Sequence, residues 1–204
     1  MVLSFIDRFK YYADMTDPEI RHLLFARLAK RKSFLESQLC EEVPIQNGLT
    51  RADVVFCGKR LECFEIKSHR DTLKRLFTQG WQYEQSFDRV TLVCATKHLN
   101  KAFGIIPKWW GILEVSGSGQ LETVRNAQAN PYVNVSGMAD LLENQDARDV
   151  LQQFGITTGT KRMHHEQLRK MIAENLTLSQ LRHATKSALT QRQLSRWRPS
   201  EQIA

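Results

Sequence analysis

Several things are missing from this chain, and each absence removes a class of function. No apolar run approaches the ~20 residues that a membrane-spanning helix requires, so no membrane role is expected. The opening MVLSFIDRFKYYADM carries Asp7 and Arg8 inside its apolar stretch and is a poor match to a secretory signal. The four cysteines, Cys40, Cys57, Cys63 and Cys94, form no CxxC pair, which argues against a zinc site. Three of them fall in apolar strand-like runs, where Cys acts as a small hydrophobe, and a reducing cytoplasm suits them. There is no internal repeat and no long low-complexity tract. Ser116-Gly117-Ser118-Gly119 lacks the lysine of a phosphate-binding loop and reads as a turn.

What is present is enough for a real core. Of 204 residues, 42% are hydrophobic and 25% charged, the balance of one soluble globular domain with an appendage. The charge is uneven. Residues 1–160 are nearly neutral, whereas residues 161–198 hold nine Lys/Arg against Glu166 and Glu174 and so account for the formal +7. The basic positions Lys161, Arg162, Arg169, Lys170, Arg182, Arg192 and Arg196 suit either the phosphates of a nucleic acid or a solvated helical surface.

The apolar pattern predicts elements in order. Asp17-Pro18-Glu19 reads as a helix start, with Asp17 as cap, followed by Ile20, Leu23, Leu24 and Leu28 at helical spacing. Strand signals at 38–46, 51–57 and 60–67, separated by Asn47-Gly48 and Gly58, predict an antiparallel meander. Residues 71–87 take a helical period, and 89–95 is a short apolar run typical of a buried strand. A crossover from 60–67 through that helix to 89–95 would make a parallel pair. A strand at 109–115 and an edge strand at 120–124 follow, with Trp109-Trp110 divided between core and a partly exposed cover. Beyond Asn130-Pro131, residues 137–154 and 162–189 read as helices joined by the flexible 155–160, with 191–197 as one more short helix. The division is a core over residues 1–125 and a helical, basic extension over 126–204.

The stretch ECFEIKS puts Glu65 and Lys67 on one face of a strand, because residues two apart project to the same side. Phosphodiester cleavage asks for a divalent cation held by hard oxygen ligands, with a lysine to orient water or offset negative charge. Asp53, on the preceding strand, can complete that set. A two-residue turn at Gly58-Lys59 would pair Asp53 with Phe64, on the wrong face. A three-residue turn over 58–60 would pair Cys57 with Leu61 and Asp53 with Glu65. Gln79 and Tyr83, one helical turn apart on the following helix, can support the site by hydrogen bonding or stacking.

Asp53, Glu65-x-Lys67 and Gln79-x-x-x-Tyr83 resemble the PD-(D/E)xK nuclease superfamily, in its QxxxY-bearing branch. Ala52 stands where the name has proline. EEVPIQNGLTRADVVF, FEIKSHRDTLKRLFTQGWQYEQSFDRVTLV and IPKWWGILEV look like an uncharacterised bacterial and phage family within it, over about residues 16–115. The resemblance implies an α/β restriction-endonuclease-like core, a mixed sheet of four or five strands flanked by helices, with a helical basic C-terminal extension. It implies Mg²⁺ or Mn²⁺ at Asp53, Glu65 and the Ile66 main-chain carbonyl, with Lys67 as the catalytic lysine. A further acid, either Glu19 or Glu42, is implied beside them. The expected activity is metal-dependent cleavage of nucleic acid, DNA before RNA. The alternatives are a non-cutting nucleic-acid-binding protein and a phage or defence regulatory factor, with a homodimer or protein partner possible.

Other polar residues take quieter readings. His164 and His165, adjacent on a helix, point ~100° apart and chelate poorly, so a surface or phosphate contact is expected. His69 suits turn structure. Trp197, amid Arg192, Arg196 and Arg198, either stacks on a single strand or docks the tail.

Overall fold

A computed structural model of the chain describes residues 15–32 and 34–196, the last of these by its backbone. The opening segment around Asp7 and Arg8, the Arg196 side chain, Trp197 and Arg198 lie outside the described residues. Helix α1 (Asp17–Ala29) starts one residue earlier than its sequence suggests. Thr16 is the extended capping residue, and its amide and hydroxyl both donate to Glu19 Oε2 at 2.7 Å. Asp17 is therefore the first helical residue rather than the cap.

The meander forms as expected. Strands β1 (Leu39–Ile45), β2 (Thr50–Cys57) and β3 (Leu61–Lys67) pair antiparallel in sequence order. The tight return after β1 uses Gln46, Asn47 and Gly48, all at positive φ. The return after β2 spans residues 58–60 and pairs Cys57 with Leu61, the three-residue geometry expected, and the ladder ends at Val54 opposite Phe64. Helix α2 (Leu76–Ser86) then crosses to β4 (Arg89–Ala95), which runs parallel to β3. The helix begins at Leu76 rather than Asp71 because the Asp71 carboxylate is spent on a turn, accepting from the Ser68 amide and hydroxyl. Helix α3 (Leu99–Ile105) leads to β5 (Gly111–Val115), parallel to β4, and β6 (Leu121–Arg125) closes the edge antiparallel.

The fold is thus α/β, with a mixed sheet of six strands in the order β1 to β6. Six is the number of strands read from the apolar pattern, and more than the four or five that the resemblance implies. Edge strand β6 is largely exposed and is held from the side by Arg27, which donates to Leu121 O and Thr123 Oγ1.

Helix α1 covers one face of the sheet. Its Ile20, Leu24 and Leu28 pack on Val54, Phe56, Phe64 and Ile66. The other face carries Val55, Cys57, Leu61 and Cys63 and meets α2 and the C-terminal helices. Those are α4 (Val135–Ala139), α5 (Asn144–Gln153), α6 (His165–Asn175) and α7 (Leu178–Arg196). Each of the two long helices expected there is broken. The Glu143 amide donates to Asp146 Oδ2, and the Thr177 amide and hydroxyl donate to Gln180 Oε1, so new helix starts form at both points. Short segment 191–196 is continuous with α7. Met138, Val150, Leu168, Leu181 and Leu189 of α4–α7, with Leu142 from the α4–α5 link, share one core with the sheet. Trp109 and Trp110 are both buried, correcting the expectation of a partly exposed cover, and Trp110 lies 6.2 Å from the Tyr83 ring. No helix among the described residues is long and apolar enough to cross a membrane.

Candidate active site

Alternation along β3 separates its side chains. Phe64 and Ile66 enter the core under α1, while Cys63, Glu65 and Lys67 face α2. Glu65 is fully buried, a position a carboxylate tolerates only with partners. It has two. Lys67 Nζ donates to Oε1 at 2.5 Å, and the Tyr83 hydroxyl donates to Oε2 at 2.6 Å. The Tyr83 oxygen lies 3.0 Å from the Arg51 carbonyl and accepts from Gln79 Nε2 at 3.4 Å. Gln79, Tyr83, Glu65 and Lys67 therefore form one chain of contacts from helix to strand. Burial, then the Glu65 charge, pushes the Tyr83 phenol far above its ordinary range, so it stays a donor.

Asp53 stands where β2 and β3 part, just beyond the last paired residues, Val54 and Phe64. Its Oδ2 accepts the Ile66 amide at 2.7 Å. Burial first and the Glu65 charge second push its carboxyl up to about 7; the Ile66 amide, Lys67 and Arg21 oppose that rise. The Glu65 contribution marks the two acids as electrostatic neighbours, the condition that a bound cation relieves.

Arg21, which the sequence did not single out, organises the outer rim from α1. Its guanidinium donates to Asp17 Oδ1 at 2.5 Å, to Glu41 Oε2 at 3.1 Å, to the Asp53 carbonyl at 2.9 Å and to Glu42. It lies 3.9 Å from Asp53 Oδ1. Burial alone would lower its pKa, but Asp17, Glu42 and Asp53 raise it, so the charge is fixed. Glu42 also pairs with Arg51 and sits at φ 53, a left-handed backbone that costs a non-glycine residue on the order of 1 kcal/mol.

Of the two further acids, Glu42 borders the same cleft as Asp53, whereas the Glu19 carboxylate caps α1. That cleft measures ≈ 650 Å³. Asp53 and Lys67 border it, with Leu49 and Arg51 contributed by β2 and its turn and Arg75 and Gln79 by the α2 side. Gln79 Oε1 is buried there with no hydrogen-bond partner. His98, also absent from the sequence reading, backs the strand end through Nε2, 3.0 Å from the Ser68 carbonyl.

The basic tail is less available than its composition suggests. Arg169 binds Asp140 at 2.9 and 3.0 Å, Arg182 binds Asp88 at 2.7 Å, and Arg192 binds Asp146 and Glu143. These three arginines tie the C-terminal helices to one another and, through Asp88, to the sheet. Lys161, Arg162 and Lys170 are exposed, Lys170 lying 3.8 Å from Glu174. His165 is buried with Nε2 3.4 Å from Asp140, against the expected surface role, while His164 is exposed at the start of α6.

Among the described residues no three His, Cys, Asp or Glu side chains gather as a self-sufficient metal cluster. The donor set is smaller: the Asp53 and Glu65 carboxylates, with the Ile66 carbonyl between Glu65 and Lys67 in sequence. All are hard oxygens, which fits a magnesium-like cation that keeps several waters rather than a fully caged one. No cysteine or histidine belongs to the set, so a soft metal is disfavoured.

Residues 11–198 match the model of a protein family described as Bacteriophage P4 protein cII. A relative from Enterobacteria phage P4, named Protein cII, is 27% identical over 171 residues, covering 82% of this chain and 64% of that protein. The chain thus spans under two thirds of that relative's length. Among solved structures, the SPO1766 protein of unknown function from Silicibacter pomeroyi aligns with 62% of this chain and 82% of its own. Its identity is 18% and its TM-score 0.37, too low to carry a structural argument.

Proposed function

We propose that this chain, which belongs to the bacteriophage P4 protein cII family, is a metal-dependent nuclease with a PD-(D/E)xK-type site on a restriction-endonuclease-like core. The observation that carries the reading is the β2–β3 register. Cys57 opposite Leu61 runs the ladder to Val54 opposite Phe64, so Asp53 follows next along β2 beside Glu65, and Asp53 borders one cleft with Lys67. The Tyr83 hydroxyl on Glu65 adds the fourth member from the next helix.

Asp53, Glu65 and the Ile66 carbonyl would hold Mg²⁺ or Mn²⁺, which when bound supplies Lewis acidity and a more acidic water. The protein's own groups do the positioning. Tyr83 and Lys67 fix the Glu65 carboxylate, and Gln79 supports Tyr83. Lys67 has ammonium protons to offer to an attacking water or to the phosphate oxygens, where negative charge grows. In the reaction a bond forms from water oxygen to phosphorus, the bond to the leaving oxygen breaks, and the leaving oxygen takes a proton. Arg51 and Arg75, exposed along the cleft, suit the flanking phosphates. DNA is the favoured substrate.

A second reading has specific support: a phage nucleic-acid-binding or regulatory protein that retains the site's architecture without cutting. The family description names a phage protein and no enzyme. Both Glu65 oxygens already have partners within the protein, so the site is stable without a cation. Incubation with single-stranded, double-stranded and circular DNA, in Mg²⁺, Mn²⁺ or EDTA, separates the two. Metal-dependent breakage that disappears in Glu65→Gln supports the nuclease. Retardation without breakage, equal in parent and variant, supports the regulator.

A further inference from the structure

Helix α2 presents two large aromatic rings to solvent. Phe77 is 78% exposed and Trp81 67% exposed, four residues apart on one side of the helix that also carries Gln79 and Tyr83. Single exposed apolar residues are ordinary, but paired aromatic rings beside a polar cleft mark a contact surface. The two surfaces are continuous. Thr78 borders both the cleft with Asp53 and Lys67 and a neighbouring apolar groove of ≈ 400 Å³ that includes Phe77, Trp81 and Trp110.

The charge around this surface has one dominant sign. Arg70, Lys74 and Arg75 are exposed on the segment leading into α2, and Lys97, Lys101 and Lys108 are exposed on α3 and directly beside it. Against them stand Asp71, whose Oδ2 is occupied by Ser68, Glu84, half-buried beside the groove, and Asp140, which shares a second groove with Trp81 and is paired to Arg169. Exposed rings within a field of cations are what a polyanion with flat, hydrophobic faces requires. That description fits nucleic acid whose bases are unpaired. Duplex bases stack on one another and keep their faces inside, so a duplex offers its phosphates but nothing to the rings. The spacing agrees: four helical residues rise about 6 Å, against about 3.4 Å per stacked base in a duplex strand. Two rings so separated receive bases that have been splayed apart.

We propose that Phe77 and Trp81 form a stacking platform for an unpaired nucleic-acid strand that enters or leaves the cleft, with Arg75 and Lys74 on its phosphates. The proposal rests on the reading of the cleft as a nucleic-acid site, and it makes the substrate a single strand or a duplex with a single-stranded end. The Trp81 contribution to quenching is isolated as the difference between the parent and Trp81→Phe, because Trp109, Trp110 and Trp197 also emit. A Glu65→Gln chain in EDTA, unable to cut, is titrated with a labelled oligothymidine and with a duplex of equal length, following anisotropy and tryptophan quenching. The single strand is expected to bind at least about tenfold more tightly than the duplex, with quenching. Phe77→Ala and Trp81→Ala, placed on that Glu65→Gln background, should each weaken single-strand binding on the order of tenfold, the loss typical of one stacked base. Trp81→Phe should restore most of it, and duplex binding should barely change. Both rings are exposed, so these variants keep the fold, and circular dichroism verifies this.

Equal affinity for single strand and duplex, or ring variants that bind like the parent, would overturn the platform. So would failure of both oligonucleotides to bind, which would assign the rings to a protein contact. The two proposals fail separately. Ring-dependent binding in a parent that never cuts removes the nuclease and leaves the platform. Metal-dependent cutting unaffected by either ring variant removes only the platform.

Discussion

Asp53 is held between neighbours of opposite effect. Burial and Glu65 favour its neutral form, while the Ile66 amide, Lys67 and Arg21 favour the anion, and the balance leaves its carboxyl near 7. The unfolded chain releases that proton at about 3.9. Between those values the native state binds more protons than the unfolded state, so stability falls as pH rises. The loss amounts to roughly 2–4 kcal/mol and is complete above the folded pKa. Asp53→Asn keeps an acceptor for the Ile66 amide and has nothing to ionise. Urea midpoints in EDTA should therefore fall more from pH 5 to pH 8 in the parent than in Asp53→Asn; parallel profiles would contradict the assignment. Tyr83→Phe removes the hydroxyl from the buried Glu65 carboxylate. It should cost about 1–3 kcal/mol of stability and weaken Mn²⁺ binding on the order of 10–100-fold, as read by calorimetry. The three-residue turn and the shared face of Glu65 and Lys67 were legible in the sequence, because strand alternation and turn length are counting arguments. Arg21 was not, since its partners Glu42 and the Asp53 carbonyl lie 21 and 32 residues away. Nor does any residue type announce a left-handed glutamate such as Glu42.

At the scale of elements, the turn over 58–60 and the arginines of the C-terminal helices set what the site and the body can do. Deleting Lys59 leaves a two-residue connection, and a one-residue slip would send Glu65 toward the apolar face under α1. That deletion should cost on the order of 3 kcal/mol or more, because a charged side chain replaces an apolar one in the core. Arg182 offers a second test. Its partner Asp88 has a side chain only 1% exposed and also accepts the Leu61 amide at 2.9 Å. Arg182→Met leaves that carboxylate buried without its counter-ion and should destabilise by about 3–5 kcal/mol, whereas Lys161→Met should stay within about 0.5 kcal/mol. Urea unfolding of both variants decides it. Composition counted the basic charges of this region correctly and could not see their partners. Asp140, Asp146 and Asp88 lie 29, 46 and 94 residues from Arg169, Arg192 and Arg182. The helix breaks at Glu143 and Thr177 escaped for a related reason: Asp146 and Gln180 supply the capping contacts, within segments whose apolar period reads straight through.

For the whole molecule, the six-stranded sheet is the frame and the two sides of it have different duties. Helix α1 closes one side and supplies Arg21 to the rim of the site. The α2 side supplies Tyr83 and Gln79, and α4–α7 complete the same core beneath them. The chain shortened to end at Arg125 would expose the sheet residues that those helices cover. It should unfold without a cooperative transition in circular dichroism; a sharp melt comparable to the parent's would show that residues 126–196 add nothing to the core. The β1–β3 meander and the parallel crossover to β4 could be read from alternation and helix period, but the place of β5 and the sharing of one core by both halves could not, because packing partners are not a local property of the chain.

Electron paramagnetic resonance of Mn²⁺ tests most directly, without any assumption about substrate, whether Asp53 and Glu65 together grip a divalent cation. The parent is predicted to bind one Mn²⁺ per chain, Asp53→Asn and Glu65→Gln to bind none at the same concentration, and Glu19→Gln to bind like the parent. Mn²⁺ that stays free in the parent, or that binds equally well to the Asp53 and Glu65 variants, would contradict the account.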